Sequence, residues 1–111
     1  MNQKQYERVL EIIEQDCELR FDYVDKEGRT CVVGALALAA GYDESLLHEH
    51  HRVRIDNESL VSLRKDIYKV FGLTKRHLVR LQDLNDIYED SESRRLGIKA
   101  ALPNILHRAE A

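Results

Sequence analysis

A thiol, a knot of histidines and a short basic helix are the groups in this chain that could do chemistry. Cys31 opens the run Cys31-Val32-Val33-Gly34-Ala35-Leu36-Ala37-Leu38-Ala39-Ala40-Gly41. A thiol at a helix N-terminus has a lowered pKa and is a better nucleophile. Catalysis would also need a histidine and an orienting amide or carboxylate, for which His77, His107, Asn85 and Asp86 are the candidates. No catalytic signature surrounds Cys31, and free cysteine usually packs as a small hydrophobe. A structural role is therefore favoured, and Cys31→Ser is expected to cost about 1–3 kcal/mol by burying a hydroxyl where a thiol packs.

His48, His50 and His51 flank Glu49. Imidazoles so close suit zinc or nickel. On a strand His48 and His50 would share a face, and on a helix His48 and His51 would. Neither geometry supplies a third ligand locally, so a solvated loop is favoured and no metal or other cofactor is expected.

The third group lies in 67–81, a helix, a glycine turn at Gly72, a cap and a second helix. This order matches a DNA-binding helix-turn-helix, with Thr74, Lys75, Arg76, His77 and Arg80 as the groove- and phosphate-facing set. Two features oppose it. Tyr68 stands where such helices cross most tightly and a small residue belongs, and the rest of the chain is acidic. Downstream, Asn85 sits at the edge of an apolar helix face, where it is expected to hydrogen-bond the exposed backbone of the Cys31 turn. Five tyrosines against two phenylalanines suit half-exposed interfaces as well as core edges.

These groups must be positioned by one small domain, 1–111. At 111 residues, 43% hydrophobic and 33% charged, the chain can bury a single core. Its longest apolar run is half of a membrane span. The charged start offers no secretory signal, and two cysteines without one are expected to stay reduced in the cytoplasm. Residues 1–60 hold 7 Lys/Arg against 13 Asp/Glu, 61–80 hold 6 against 1, and 81–111 hold 4 against 6. A basic band thus lies between acidic segments, to be met internally or by an anionic partner.

Periodicity predicts helices over 3–15, 32–40, 58–71 and 75–88, and a last one from Ser91 or Ser93 that breaks or kinks near Ala101 because of Pro103. The helix over 75–88 should turn Leu78, Leu81, Leu84, Ile87 and Tyr88 inward, and the last should carry Leu96, Ile98, Leu102, Ile105 and Leu106. Residues 20–33 read as a β-hairpin turning at Asp25-Lys26-Glu27-Gly28, and Arg52-Val53-Arg54-Ile55 as a brief strand. Gly34 and the alanines keep the 32–40 helix thin enough for a neighbouring helix to approach, and Gly41 is its natural C-cap. The fold class expected is mainly α: a compact domain of about five helices with one short β-hairpin around 20–33.

Cys31-x-x-Gly34-Ala35-Leu36-x-x-Ala39-x-Gly41, then Gly72-Leu73-Thr74 and Leu81-Gln82-x-Leu84-Asn85-Asp86, resembles a group of small uncharacterised proteins of bacteria and their phages. They share a C-x-x-G-A-L helix and a later helix with an Asn-Asp pair, and many carry tryptophan where Leu84 stands here. The resemblance covers about half the chain and implies a compact helical domain with a small hairpin, without implying an activity. A phage setting implies a small acidic cytoplasmic protein that binds and modulates a host protein. With no complete catalytic set in view, a non-enzymatic protein-binding role leads, ahead of DNA binding through 67–81 and thiol chemistry at Cys31. Cys31, Gly34, Gly41 and Asn85 are the expected structural residues.

Overall fold

The computed structural model describes residues 3–16 and 22–110. Helix α1 spans Gln3–Asp16, α2 Val32–Ala39, α3 Glu44–Glu49, α4 Val61–Phe71, α5 Lys75–Ile87 and α6 Ser91–Glu110; a 3-10 turn, Glu58–Leu60, leads into α4. Five of these helices are eight residues or longer. Cys17 lies outside the described residues.

α2 is the axis of the fold. Every residue from Val32 to Ala37 is buried, as expected of a helix apolar on all sides. α1, α4 and α5 pack on it, and α6 closes over α5, α1 and α4. Leu36, Leu47, Ile55, Leu63, Ile67, Phe71, Leu78, Leu81, Ile98 and Leu102 complete one continuous core. The result has a radius of gyration of 12.3 Å, that of a compact globule. Among the described residues no helix is long and apolar enough to cross a membrane.

Both ends of α2 are closed by its own sequence. The Cys31 Sγ accepts the Gly34 N–H at 3.3 Å, so the thiol serves as N-cap. At the other end Gly41 takes φ 90°, its N–H reaches the Leu38 carbonyl, and Tyr42 N–H reaches that of Ala37, both at 3.0 Å. Those two bonds are a Schellman motif, which needs the left-handed residue that glycine supplies.

The expected hairpin is not formed. Among the described residues of that segment there is one isolated antiparallel bridge, Val24↔Thr30, and no strand. The turn is where the sequence places it, but the Asp25 carboxylate takes the Glu27 and Arg29 N–H groups at 3.0 and 2.9 Å. On the return side the chain enters α2 at once, so no second ladder pair can form. Gly34 admits this segment, not a helix: a Cβ there would lie 2.0 Å from the Tyr23 carbonyl oxygen.

The strand expected at 52–55 is also absent. Its backbone is satisfied partly by local turns, Val53 N–H to the His50 carbonyl and Asn57 N–H to that of Arg54, and partly by side chains from elsewhere. Gln82 Oε1 accepts the Ile55 N–H at 3.0 Å, the Tyr23 hydroxyl donates to the Val53 carbonyl, and Arg64 donates to the Ile55 carbonyl at 2.8 Å. A strand forms only where another strand offers these bonds. Helix α6, expected to break or kink near Ala101, does not break: it continues through Pro103 to Glu110. The carbonyl that Pro103 frees is that of Lys99, a half-buried residue.

Candidate functional site

Helix α5 starts from a firm cap. Thr74 Oγ1 accepts the His77 N–H, and His77 Nδ1 accepts the Thr74 N–H at 3.0 Å. The αL residue Gly72 (φ 71°) has ended α4 just before. The buried face of α5 is Leu78, Leu81, Gln82 and Asn85. This differs from the expected face by a rotation about the helix axis, because two polar side chains are drawn in by backbone groups that need them. Asn85 Oδ1 accepts the Val32 N–H at 3.0 Å, capping α2 across 53 residues of sequence. Gln82 holds Ile55 with its oxygen and donates to the Tyr23 hydroxyl at 3.2 Å. Burial pushes the Tyr23 phenol well above its usual range.

Arg94 of α6 completes this polar seam. It is 2% exposed, and donates to the Asn85 and Tyr88 carbonyls at 3.0 and 2.7 Å, at the C-terminal end of α5. A guanidinium answering the last carbonyls of a helix is favoured by the negative end of the helix dipole. Gln82, Arg94 and Tyr23 escaped the sequence reading. The available signal was Gln82 sharing a turn with Leu78 and Leu81; for Arg94 the only signal was its spacing of four residues from Ile98.

The opposite face of α5 carries Arg76, Arg80, Asp83 and Ile87, spaced four, three and four residues apart, so they form one outward stripe. Ile87, expected inward, is 67% exposed. Leu96 is 64% exposed because Arg94 and Ile98 take the inner side of α6. Beside the stripe, an open groove runs between α5 and α6. Its first part, about 550 Å³, is lined by Arg76, Val79, Arg80 and Ile105. Its second, about 410 Å³, shares Arg80 and Ile105 with the first and adds Leu84, Ile87, Ala101 and Asn104. Asp83 at the junction is held by Arg54 Nη2 at 2.7 Å, and this hydrogen bond raises the Arg54 pKa further. Arg76 and Arg80 make no ion pair among the described residues.

Of the other chemical candidates, His77 lines the first part of this groove, while Cys31, His48, His50 and His51 do not. Cys31 is buried, so a thiolate there has no route to an outside substrate, and His77 is committed to the Thr74 cap. The side chain of His107 lies outside the described residues. The three histidines diverge: His48 is exposed, His50 Nε2 pairs with the Tyr42 hydroxyl at 3.2 Å, and His51 Nδ1 meets Asp22 at 2.7 Å. Among the described residues no three metal-ligating side chains come together.

The segment 67–81 does have the order helix, turn, helix. Yet α4 and α5 make little direct contact and lie instead against α2. Tyr68, expected at a tight crossing, is 59% exposed. Thr74, Lys75, Arg76 and Arg80 are exposed and His77 is half-buried.

Comparison with protein-family models, with curated proteins and with solved structures gives no match to this chain.

Proposed function

We propose that this chain is a non-enzymatic binding module, a small acidic protein that modulates another protein by docking it on the α5–α6 face. One observation carries the reading. Ile87 is 67% exposed in a groove that also holds Arg80 and, further along, Arg76, neither with an ion pair among the described residues. A large apolar side chain rimmed by charge is the anatomy of a protein-contact site. The resemblance to small bacterial and phage proteins fits a cytoplasmic, phage- or mobile-element-encoded modulator. A photo-crosslinker at position 87, compared with one at the exposed Glu92, tests it. A discrete protein adduct from 87 and none from 92 is expected; equal labelling at both positions would sink the proposal.

A second reading, DNA binding, is favoured by one feature: Lys75, Arg76 and Arg80 are all exposed in the first half of α5, just after the turn. Phosphate contact predicts retention on duplex DNA at about 50 mM salt that fades steeply as salt rises. Absence of retention at low salt eliminates it.

A further inference from the structure

We infer that the occupant of the α5–α6 groove is an acidic amphipathic segment of the partner protein, with carboxylates on Arg76 and Arg80 and apolar side chains over Leu84, Ile87 and Ala101. This rests on the protein-binding reading and specifies the partner's chemistry.

The first support is a local conflict within α5. Lys75 and Arg76 occupy its first turn, which contains no acidic residue. The positive end of the helix dipole disfavours cations there, by about 0.3–1 kcal/mol each. Thr74 and His77 show that this terminus is otherwise well built. Arg76 gains no ion pair among the described residues to offset the cost. Where a well-formed element breaks one local rule without compensation, a ligand is the usual beneficiary.

The second support is charge complementarity. Asp83 is the acid on this stripe, and Arg54 already balances it at 2.7 Å. Among the described residues the face therefore presents the two arginines as its uncommitted charge, while residues 1–60 give the molecule an acidic remainder. An anionic partner fits the one and is steered away from the other. The third is the order of polarity along the groove. Arg76 lines the first part, Arg80 stands where the two parts meet, and Leu84, Ile87 and Ala101 line the second. A phosphate backbone would use the first half only, whereas a peptide with carboxylates at one end of an apolar ridge uses both.

The test is a display library of random peptides of about 16 residues, some four helical turns, selected on the full chain. Selection is repeated on the double variant Arg76→Glu/Arg80→Glu and on Ile87→Asp. Wild type should enrich acidic peptides with apolar residues at helical spacing. The double variant should weaken their binding about tenfold or more at low salt and itself select basic peptides. Ile87→Asp should weaken both sets. All three positions are exposed, so unchanged melting confirms folding, and Arg76→Gln/Arg80→Gln serves as a milder pair if needed.

No enrichment, or enrichment indifferent to charge reversal, overturns the inference. So does a concentration-dependent dimer that Ile87→Asp dissolves, which would make a second copy the occupant, or DNA binding lost on charge reversal. If the crosslinker at 87 captures one partner through a basic or neutral segment, this inference fails while the protein-binding reading stands. If position 87 yields no discrete adduct, the binding reading itself fails.

Discussion

Along one side of α5, Leu78, Leu81, Gln82 and Asn85 are buried, and the two amides are bound to Val32, Ile55 and Tyr23. Along the other, Arg76 and Arg80 have no ionic partner among the described residues and Ile87 stands 67% exposed. The two faces belong to the same 13-residue helix and share a cap. On the inner face, polar groups have been taken from water and repaid with buried hydrogen bonds, where each loss is costly. On the outer face, charge and apolar surface are left available, where loss should barely touch stability. On the proposed binding reading, structure and recognition are separated by half a helical turn, and substitutions can test the separation.

The sharpest test lies where the inner seam meets α2. Gly34→Ala would place a Cβ 2.0 Å from the Tyr23 carbonyl, a backbone atom that cannot swing aside. A loss of about 3 kcal/mol is expected, lowering the melting temperature by more than about 10 °C. A change below about 3 °C would show that this crossing is loose. Next is Asn85→Ala, which strands the Val32 N–H in the core and should cost about 2 kcal/mol. Urea unfolding measures it, and a loss under about 0.5 kcal/mol would break the inner half of the comparison.

Cys31→Ser follows. A hydroxyl can keep the cap bond to Gly34 N–H, so the expected cost falls to about 1 kcal/mol or less, below what burial of a hydroxyl alone suggested. Alkylation of Cys31 in the wild-type chain should proceed only as fast as the protein opens, and rapid reaction near neutral pH would restore the reactive-thiol reading. On the outer face, Arg76→Glu/Arg80→Glu should leave stability within about 0.5 kcal/mol of wild type, or raise it slightly through the helix dipole. A cooperative loss of fold would mean that the outer stripe is structural after all.

The smallest effect is acid sensitivity at two helix starts. Hydrogen bonds from the Ser45 hydroxyl and N–H hold the Asp43 carboxyl below its usual range, and the Ser93 N–H does the same for Asp90. A carboxyl depressed on folding lends stability that is fully present above its unfolded value of 3.8 and is lost as pH falls through the lower folded value. The urea midpoint should therefore drop below about pH 4, and Asp43→Asn/Asp90→Asn should flatten that drop. An unchanged profile in the double variant would remove these caps from the acid response.

Local chemistry was legible wherever it acts within a few residues. The helix start at Thr74, the αL stops at Gly41 and Gly72, and the buried run of α2 all follow from side-chain and backbone preferences over one or two turns. The turn at Asp25–Gly28 was legible for the same reason. Whether a hairpin followed was not, because a ladder needs length that the chain spends on entering α2.

Which way each helix faces was decided in three dimensions. Leu84 and Ile87 are as apolar as Leu78 and Leu81, so hydrophobicity alone could not rotate α5 to its observed setting. That setting came from the Val32 and Ile55 N–H groups, 53 and 27 residues away in sequence, which needed Asn85 and Gln82. Burying those amides brought Arg94 inward and left Ile87 and Leu96 outside. The sequence by itself determined where most helices begin, end and cap, since those bonds are local, although α3 and the passage of α6 through Pro103 were not read from it. Only the tertiary structure decided which side chains became core and which became surface, because unsatisfied backbone groups far along the chain chose their partners.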